Sequence, residues 1–123
     1  MLTNMLPFLD PVHITPDLAP RLRMLADDCD RLRFGRPPPQ RILTLAPLIK
    51  DWTTVLTPEG VKLAGCVSGH PILGNRNVMT TPLWFADPGG TWVRSLSRFY
   101  QLGPIGDSEN IRRGLTDDQE HTE

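Results

Sequence analysis

The chain has 123 residues, of which 39% are hydrophobic and 22% charged, and its formal net charge is −1. This length predicts a single globular domain with a modest core. The charge is far from the strongly basic balance of a dedicated nucleic-acid-binding protein, but charge alone leaves nucleic-acid binding open. The charge is uneven, because residues 1–106 carry eleven Lys/Arg against eight Asp/Glu, whereas residues 107–123 carry two against six.

The apolar segments argue against export and membrane insertion. The opening MLTNMLPFLD has no basic region and contains Pro7 and Asp10, so it does not have the pattern of a signal peptide. No apolar run approaches the roughly 20 residues of a membrane span. Cys29 and Cys66 lie far apart and are expected to be buried, reduced thiols, with a disulfide as the alternative. We therefore expect a cytoplasmic protein without a membrane partner.

The N-terminal half is predicted to be an apolar arm followed by a helix. Residues 1–14, interrupted by Pro7 and Pro11, are expected to lie extended across the body or to bind a partner. An apolar stripe at spacings of four and three residues then predicts a helix from Thr15 to Gly35. The stripe consists of Leu18, Leu22, Leu25, Cys29 and Leu32.

Charged residues of both signs occupy the opposite face of this helix, three or four residues apart, as on solvated helix faces. They are Arg21, Arg23, Asp27, Asp28, Asp30, Arg31 and Arg33. The prolines of RPPPQR (36–41) predict an extended, polyproline-like linker, with an SH3-type ligand as the alternative. In TLAPLIKDWTTVL (44–56), Thr44 can cap a helix and Pro47 fits its first turn, so this segment predicts a short second helix.

The C-terminal half is typical of β-structure. Strands are predicted at VKLAGCVS (61–68), NVMTTPLWFA (77–86) and TWVRSLSRFYQL (91–102), with turns at TPEG (57–60) and DPGG (87–90). The last segment also fits a helical period, so a helix over 91–102 is the alternative.

These elements predict an α+β fold in which two helices pack on a small, about three-stranded antiparallel sheet or a partly closed barrel. The expected globular domain covers residues 1–106, with its arm at 1–14, its helical part at 15–56 and its β part at 61–103. Residues 107–123 are polar and acidic and are predicted to form a disordered tail.

The sequence lacks the motifs of common enzymatic chemistry. His13, His70 and His121 occur in no CxxC, HxH or HExxH arrangement, so we expect no metal and no cofactor. Ser68 lies close to His70, but there is no GxSxG elbow to support a nucleophile. We therefore expect a protein that is not an enzyme.

Two stretches are candidate sites. In VSGHPILGNRN (67–77), His70 lies between glycines and before Pro71, which predicts a corner between strands. His70 there is either a structural histidine bonded to the backbone or an exposed recognition or titrating residue. As a strand, WVRSLSRFY (92–100) would place basic and aromatic residues on one face. This face is either a binding surface or is packed on the helices, with the aliphatic parts of the arginines at the edge of the core. The residues on this face would be Trp92, Arg94, Leu96, Arg98 and Tyr100.

Three segments together are similar to a family of small uncharacterised proteobacterial proteins, found on chromosomes and mobile elements. The resemblance rests on GCVSGHP (65–71), VMTTPL (78–83) and WVRSLSRFYQLG (92–103), and it covers about residues 45–103. The family more often has Thr-Ser where this chain has Thr-Thr. The resemblance implies a β-rich C-terminal half and supplies no catalytic residue.

We predict a non-catalytic binding protein, a small regulatory or inhibitory protein of the mobile-element type that engages a larger protein assembly. The binding residues are predicted to be Trp84, Trp92, Arg94, Arg98, Tyr100 and His70. One alternative is nucleic-acid binding through residues 92–100, with the acidic tail competing for that strip, and a second is a small enzyme that uses His70. Trp84 and Phe85 could also form a homodimer contact.

Overall fold

The structure is a computed structural model that describes residues 1–106. The acidic segment 107–123, for which the sequence predicts a disordered tail, lies outside the described residues.

Within residues 1–106, three α-helices precede six strands. The helices are α1 (Leu2–Met5), α2 (Leu18–Arg33) and α3 (Gln40–Leu45), and two 3₁₀ turns, Pro7–Leu9 and Pro11–His13, lie between α1 and α2. The strands are β1 (Leu48–Thr57), β2 (Gly60–His70), β3 (Gly74–Met79), β4 (Leu83–Ala86), β5 (Trp92–Ser95) and β6 (Phe99–Leu102).

The predicted fold class, two helices on a three-stranded antiparallel sheet or partly closed barrel, is wrong. All six strands belong to one sheet in the order β3-β2-β1-β6-β5-β4. The sheet is mixed because β1 and β6 run parallel, while the other neighbours are antiparallel. It is not closed, since β3 and β4 are edge strands, and α2 is the one long helix of the described residues.

The largest difference lies in the predicted second helix, residues 44–56: only residues 44–45 are helical, at the end of α3, and residues 48–56 belong to strand β1. This segment contains the β-branched residues Thr53, Thr54 and Val55, which suit a pleated surface. β1 pairs with β2 along most of its length and with β6 at its start, so sheet pairing on both sides overrides the local apolar stripe. The predicted turn TPEG becomes the tight hairpin loop between Thr57 and Gly60.

Proline and serine divide the two other predicted strands. The predicted strand NVMTTPLWFA is interrupted before β4, because Pro82 has no N–H to donate to a neighbouring strand. The Thr80 N–H donates to the carbonyl of Leu63 in β2 at 2.8 Å. Residues 91–102 form the β5–β6 hairpin rather than one strand or a helix. The predicted extended arm 1–14 instead forms short helical turns.

The predicted first helix is confirmed as α2. Gly35 has φ +77° at its C-terminal end, and the N–H of Arg36 donates to the carbonyl of Arg31 at 2.9 Å, which closes the last turn. Leu25 is buried, whereas Cys29 is exposed, contrary to the buried position expected for that thiol. Cys29 and Cys66 are both free thiols.

The main core lies on one face of the sheet, because alternate residues of neighbouring strands point to the same side. Its buried members are Ile49, Leu63, Val67, Val78, Val93 and Tyr100. A bulge between Lys50 and Thr53 bends β1 over Gly65, and Asp51 adopts φ 52° there. The opposite face of β5 presents Trp92 and Arg94 toward α2.

Candidate functional site

The WVRSLSRFY segment is a hairpin held together by Ser95. The Ser95 hydroxyl oxygen accepts from the N–H groups of Ser97 and Arg98 at 3.2 and 3.1 Å, and the same hydroxyl lies 3.1 Å from the Arg98 carbonyl. The Thr81 and Ser97 hydroxyls lie 3.2 Å apart and join the turn to the start of β4. A sharp turn therefore replaces the continuous strand that would have aligned the arginines and aromatic rings on one face.

Arg94 is the central charged residue of this region and is 2% exposed in its side chain. Its Nε donates to Asp28 Oδ2 of α2 at 2.9 Å, and its Nη1 donates to the Ser95 carbonyl at 2.7 Å. The guanidinium carbon lies 5.2 Å from the centroid of the Phe99 ring. This arrangement satisfies the buried cation and fastens α2 to the sheet.

A cleft of about 340 Å³ opens beside this ion pair, between α2, Ile42 of α3 and the β5–β6 turn. We call it the helix–hairpin cleft. Met24, Ile42 and Phe99 form its apolar walls. Its charged lining is formed by Asp27, Asp28, Arg31, Arg94 and Arg98, with Ser97 at the turn.

Exposed apolar side chains are most frequent in the N-terminal part of the described chain. Of the eighteen large apolar side chains that are exposed in the described residues, twelve belong to residues 1–45. Two of these twelve, Met24 (61% exposed) and Ile42, line the cleft. Exposed apolar side chains beside charged ones are typical of interaction sites in folded proteins.

The six predicted site residues do not form one surface. Arg94 and Arg98 line the helix–hairpin cleft, and Trp92 is buried beside it, with its ring 5.4 Å from Phe99 at 81°. Trp84 is 60% exposed at a bulge in the edge strand β4, and Tyr100 is buried in the core on the opposite face.

His70 lies at the corner that the sequence predicted, at the end of β2. Its side chain is buried, and its Nδ1 accepts from the N–H groups of Ile72 and Leu73, both at 3.0 Å. The His70 and Tyr100 ring centroids are 6.3 Å apart. The imidazole therefore organises the turn into β3, which is the structural alternative considered for this residue.

Sequence analysis missed the helical side of the cleft. Asp28 looked like one of several solvated charges, and only its distance from Arg94 distinguishes it from Asp27 and Asp30. Met24 and Ile42 carry no local signal of a site. Exposed apolar side chains near charged ones become visible as a surface only after the elements pack.

Within residues 1–106, no three His, Cys, Asp or Glu side chains come together as a metal site. No helix among these residues is long and apolar enough to cross a membrane.

These features define a small domain with a mixed six-stranded sheet and one long helix docked through a buried ion pair. The chain belongs to the family of unknown function DUF6634, which it matches over residues 34–114. The predicted resemblance to a family of uncharacterised proteins is thus confirmed at that level. No curated protein and no solved structure matches the chain. The family match begins after α2, so the part of the cleft that α2 supplies lies outside it, whereas Ile42 of α3 lies within it.

Proposed function

We propose that this protein is a non-catalytic binding protein that engages a protein partner through the helix–hairpin cleft. The proposal rests on one observation: the exposed apolar side chains of Met24 and Ile42 line the cleft beside the buried Asp28–Arg94 ion pair. An apolar side chain from a partner would cover both residues and remove their surface from water.

The charges of the cleft indicate the chemistry of the occupant. Asp28 and Arg94 form the buried pair, and Asp27, Arg31 and Arg98 line the cleft beside it. The lining therefore carries charges of both signs. We propose a partner segment that inserts one apolar side chain between Met24 and Ile42 and is oriented by charged groups at its flanks, because complementary charges at the rim of an interface orient the partner.

The two alternative functions find less support in the geometry. Trp92 and Tyr100 are buried, so neither ring offers a face on which a base could stack in this conformation. His70 is buried with its Nδ1 engaged by two backbone N–H groups, an arrangement that suits a structural role better than proton transfer.

We further propose the regulatory or inhibitory role within a larger assembly, in the cytoplasm of a bacterium. This part of the proposal rests on the resemblance predicted from the sequence of residues 45–103, to small proteobacterial proteins found on chromosomes and mobile elements. Membership of the family does not bear on this role, because the family has no established function.

The test is partner capture from the native cytoplasm, with and without nuclease, using wild type, Met24→Glu and Leu56→Glu. Leu56 is a matched control because it is exposed on β1, away from the cleft lining. We expect a nuclease-resistant protein partner that Met24→Glu loses and Leu56→Glu retains. A photo-crosslinker at position 42 should join that partner. Recovery of nucleic acid alone, or a partner equally retained by both variants, would overturn the proposal.

A further inference from the structure

The edge of β1 that faces β6 is paired along only part of its length. Gly103 and Gly106, in and after the end of the β6 segment, donate their N–H groups to the carbonyls of Ile49 and Trp52, each at 2.8 Å. β1 continues beyond Trp52 to Thr57, and within residues 1–106 no strand pairs with this last part of the edge. We call residues 53–57 the open edge of β1.

The open edge presents the backbone groups of two residues. Along a strand, the N–H and C=O groups of successive residues point alternately toward its two neighbours. The Trp52 carbonyl points to the β6 side, where it accepts from Gly106, so Thr54 and Leu56 direct their N–H and C=O groups to the same side. Both residues are exposed, and Leu56 is 84% exposed. Their donors and acceptors are therefore in position to pair with another strand.

The sequence of the open edge favours such pairing. TTVLT carries no charge, and all its residues except Leu56 are β-branched, which suits a pleated strand. Edge strands avoid pairing with other chains by means of lysine, proline or bulges. The edge strand β4 uses a bulge, between Leu83 and Phe85. Residues 53–57 contain neither lysine nor proline, and the bulge of β1 lies before Thr53.

Exposed apolar surface lies beside the open edge. Leu56 and Val61 are register neighbours on β1 and β2, so their side chains share one face of the sheet. Val61 is 41% exposed. A strand added at the open edge would extend this face and remove part of the Leu56 side chain from water.

We propose that the open edge of β1 pairs antiparallel with the open edge of a second copy of this chain, about a two-fold axis at Val55. In this register Thr54 lies opposite Leu56 of the second copy. Each such pair exchanges two backbone hydrogen bonds, about four in all. A register centred on Thr54 or on Leu56 would use fewer of these groups.

The side chains of the open edge are compatible with this symmetry. An isologous contact places each residue beside the same short segment of the other copy, and TTVLT brings no like charges together there. The two Leu56 side chains come onto one face as diagonal neighbours. The dimer goes beyond the partner proposed for the helix–hairpin cleft, since it involves neither α2 nor the β5–β6 hairpin.

Sedimentation velocity of the full-length chain over a range of concentrations tests for the dimer. We expect a monomer–dimer equilibrium that Thr54→Lys shifts to monomer, because a lysine blocks pairing at a sheet edge. Thr44→Lys, the same change at an exposed threonine of α3, should leave the equilibrium unchanged. Leu56→Glu, the variant expected to keep the partner of the helix–hairpin cleft, should lose the dimer, so each proposal can fail without the other.

Disulfide cross-linking tests the register in a Cys29→Ser/Cys66→Ser background. At Val55 the two copies form a non-hydrogen-bonded pair with Cα atoms about 4.5 Å apart, a separation that a disulfide spans. Val55→Cys should therefore give a covalent dimer under mild oxidation. Thr53→Cys is the matched control, because Thr53 is half-buried like Val55 but its two copies would lie roughly 13 Å apart along the strands.

Three results would overturn the proposal. The first is a chain that stays monomeric at all concentrations, and the second is a dimer that persists in Thr54→Lys, with circular dichroism showing that the variant is folded. The third is a failure of Val55→Cys to cross-link more than Thr53→Cys.

Discussion

Arg94 of β5 and Asp28 of α2 form a buried ion pair between residues that are 66 positions apart in the sequence, with Nε and Oδ2 separated by 2.9 Å. The Asp28 side chain is 16% exposed and the Arg94 side chain 2%. The pair fixes α2 on the sheet and builds one wall of the helix–hairpin cleft.

Asp28→Ala should destabilise the fold by roughly 3 kcal/mol, because it leaves the Arg94 guanidinium buried without its counter-ion. Urea unfolding followed by circular dichroism measures the change in the free energy of unfolding. Asp27→Ala is the matched control and should change the free energy of unfolding little. The double variant Asp28→Leu/Arg94→Met, which removes both charges, should lose less stability than Asp28→Ala. Equal stabilities of the Asp27 and Asp28 variants would contradict a structural role for the pair.

Gly65→Ala should destabilise the protein by about 1–3 kcal/mol through overpacking. A Cβ at this position would lie 2.9 Å from both Ile49 Cγ1 and the Lys50 carbonyl oxygen, and 3.0 Å from the Trp52 Cα. Two of these atoms are backbone atoms of the β1 bulge and cannot rotate away. Thermal unfolding is the measurement. Gly89→Ala in an exposed turn is the control, because the three atoms nearest to an added Cβ there all belong to the Asp87 side chain, with Oδ2 at 3.2 Å, and none is a backbone atom. An unchanged melting temperature for Gly65→Ala would show that an added Cβ does not clash with β1 at this position.

His70→Leu should cost about 1–3 kcal/mol, since the N–H groups of Ile72 and Leu73 lose their shared acceptor. His70→Asn keeps a side-chain acceptor near the position of Nδ1 and should retain more of the stability. Chemical unfolding compares the two, and hydrogen exchange at residues 72 and 73 reports the lost bonds directly. If leucine and asparagine were equivalent, the Nδ1 contacts would have no energetic role.

Asp87 should give the DPGG turn a stability that depends on pH. The Thr91 hydroxyl and the Gly89 N–H hold the pKa of the Asp87 carboxyl below its ordinary value. Because the folded-state pKa is the lower one, the stabilisation is present above the unfolded-state pKa and is lost as the pH falls through the folded-state pKa.

The Asp87 pKa can be followed by carboxyl NMR in wild type and Thr91→Val. Removal of the hydroxyl should raise this pKa, since the hydrogen bond from Thr91 is the largest cause of its depression. Thr54→Val, a matched change at an exposed position of β1, should leave it unchanged. An identical Asp87 titration in wild type and Thr91→Val would refute this origin of the shift.

The sequence by itself determined the elements that depend on near neighbours. The Leu18–Leu32 stripe and Gly35 specify α2, since helix periodicity and the positive φ at its end are local properties. The turns TPEG and DPGG and the His70 corner were likewise predictable, because glycine and proline restrict the backbone where they stand.

Only the tertiary structure decided the sheet and the cleft. Residues 48–57 became β1 because partners on both sides satisfy their backbone groups, and one of those partners, β6, lies some 50 residues later in the chain. The turn at Ser95 separates Trp92 and Arg94 from Tyr100, which an alternating strand pattern would have kept together. Asp28 was selected from a row of similar charges by its distance from Arg94, and Met24 and Ile42 became a surface only by packing beside that pair.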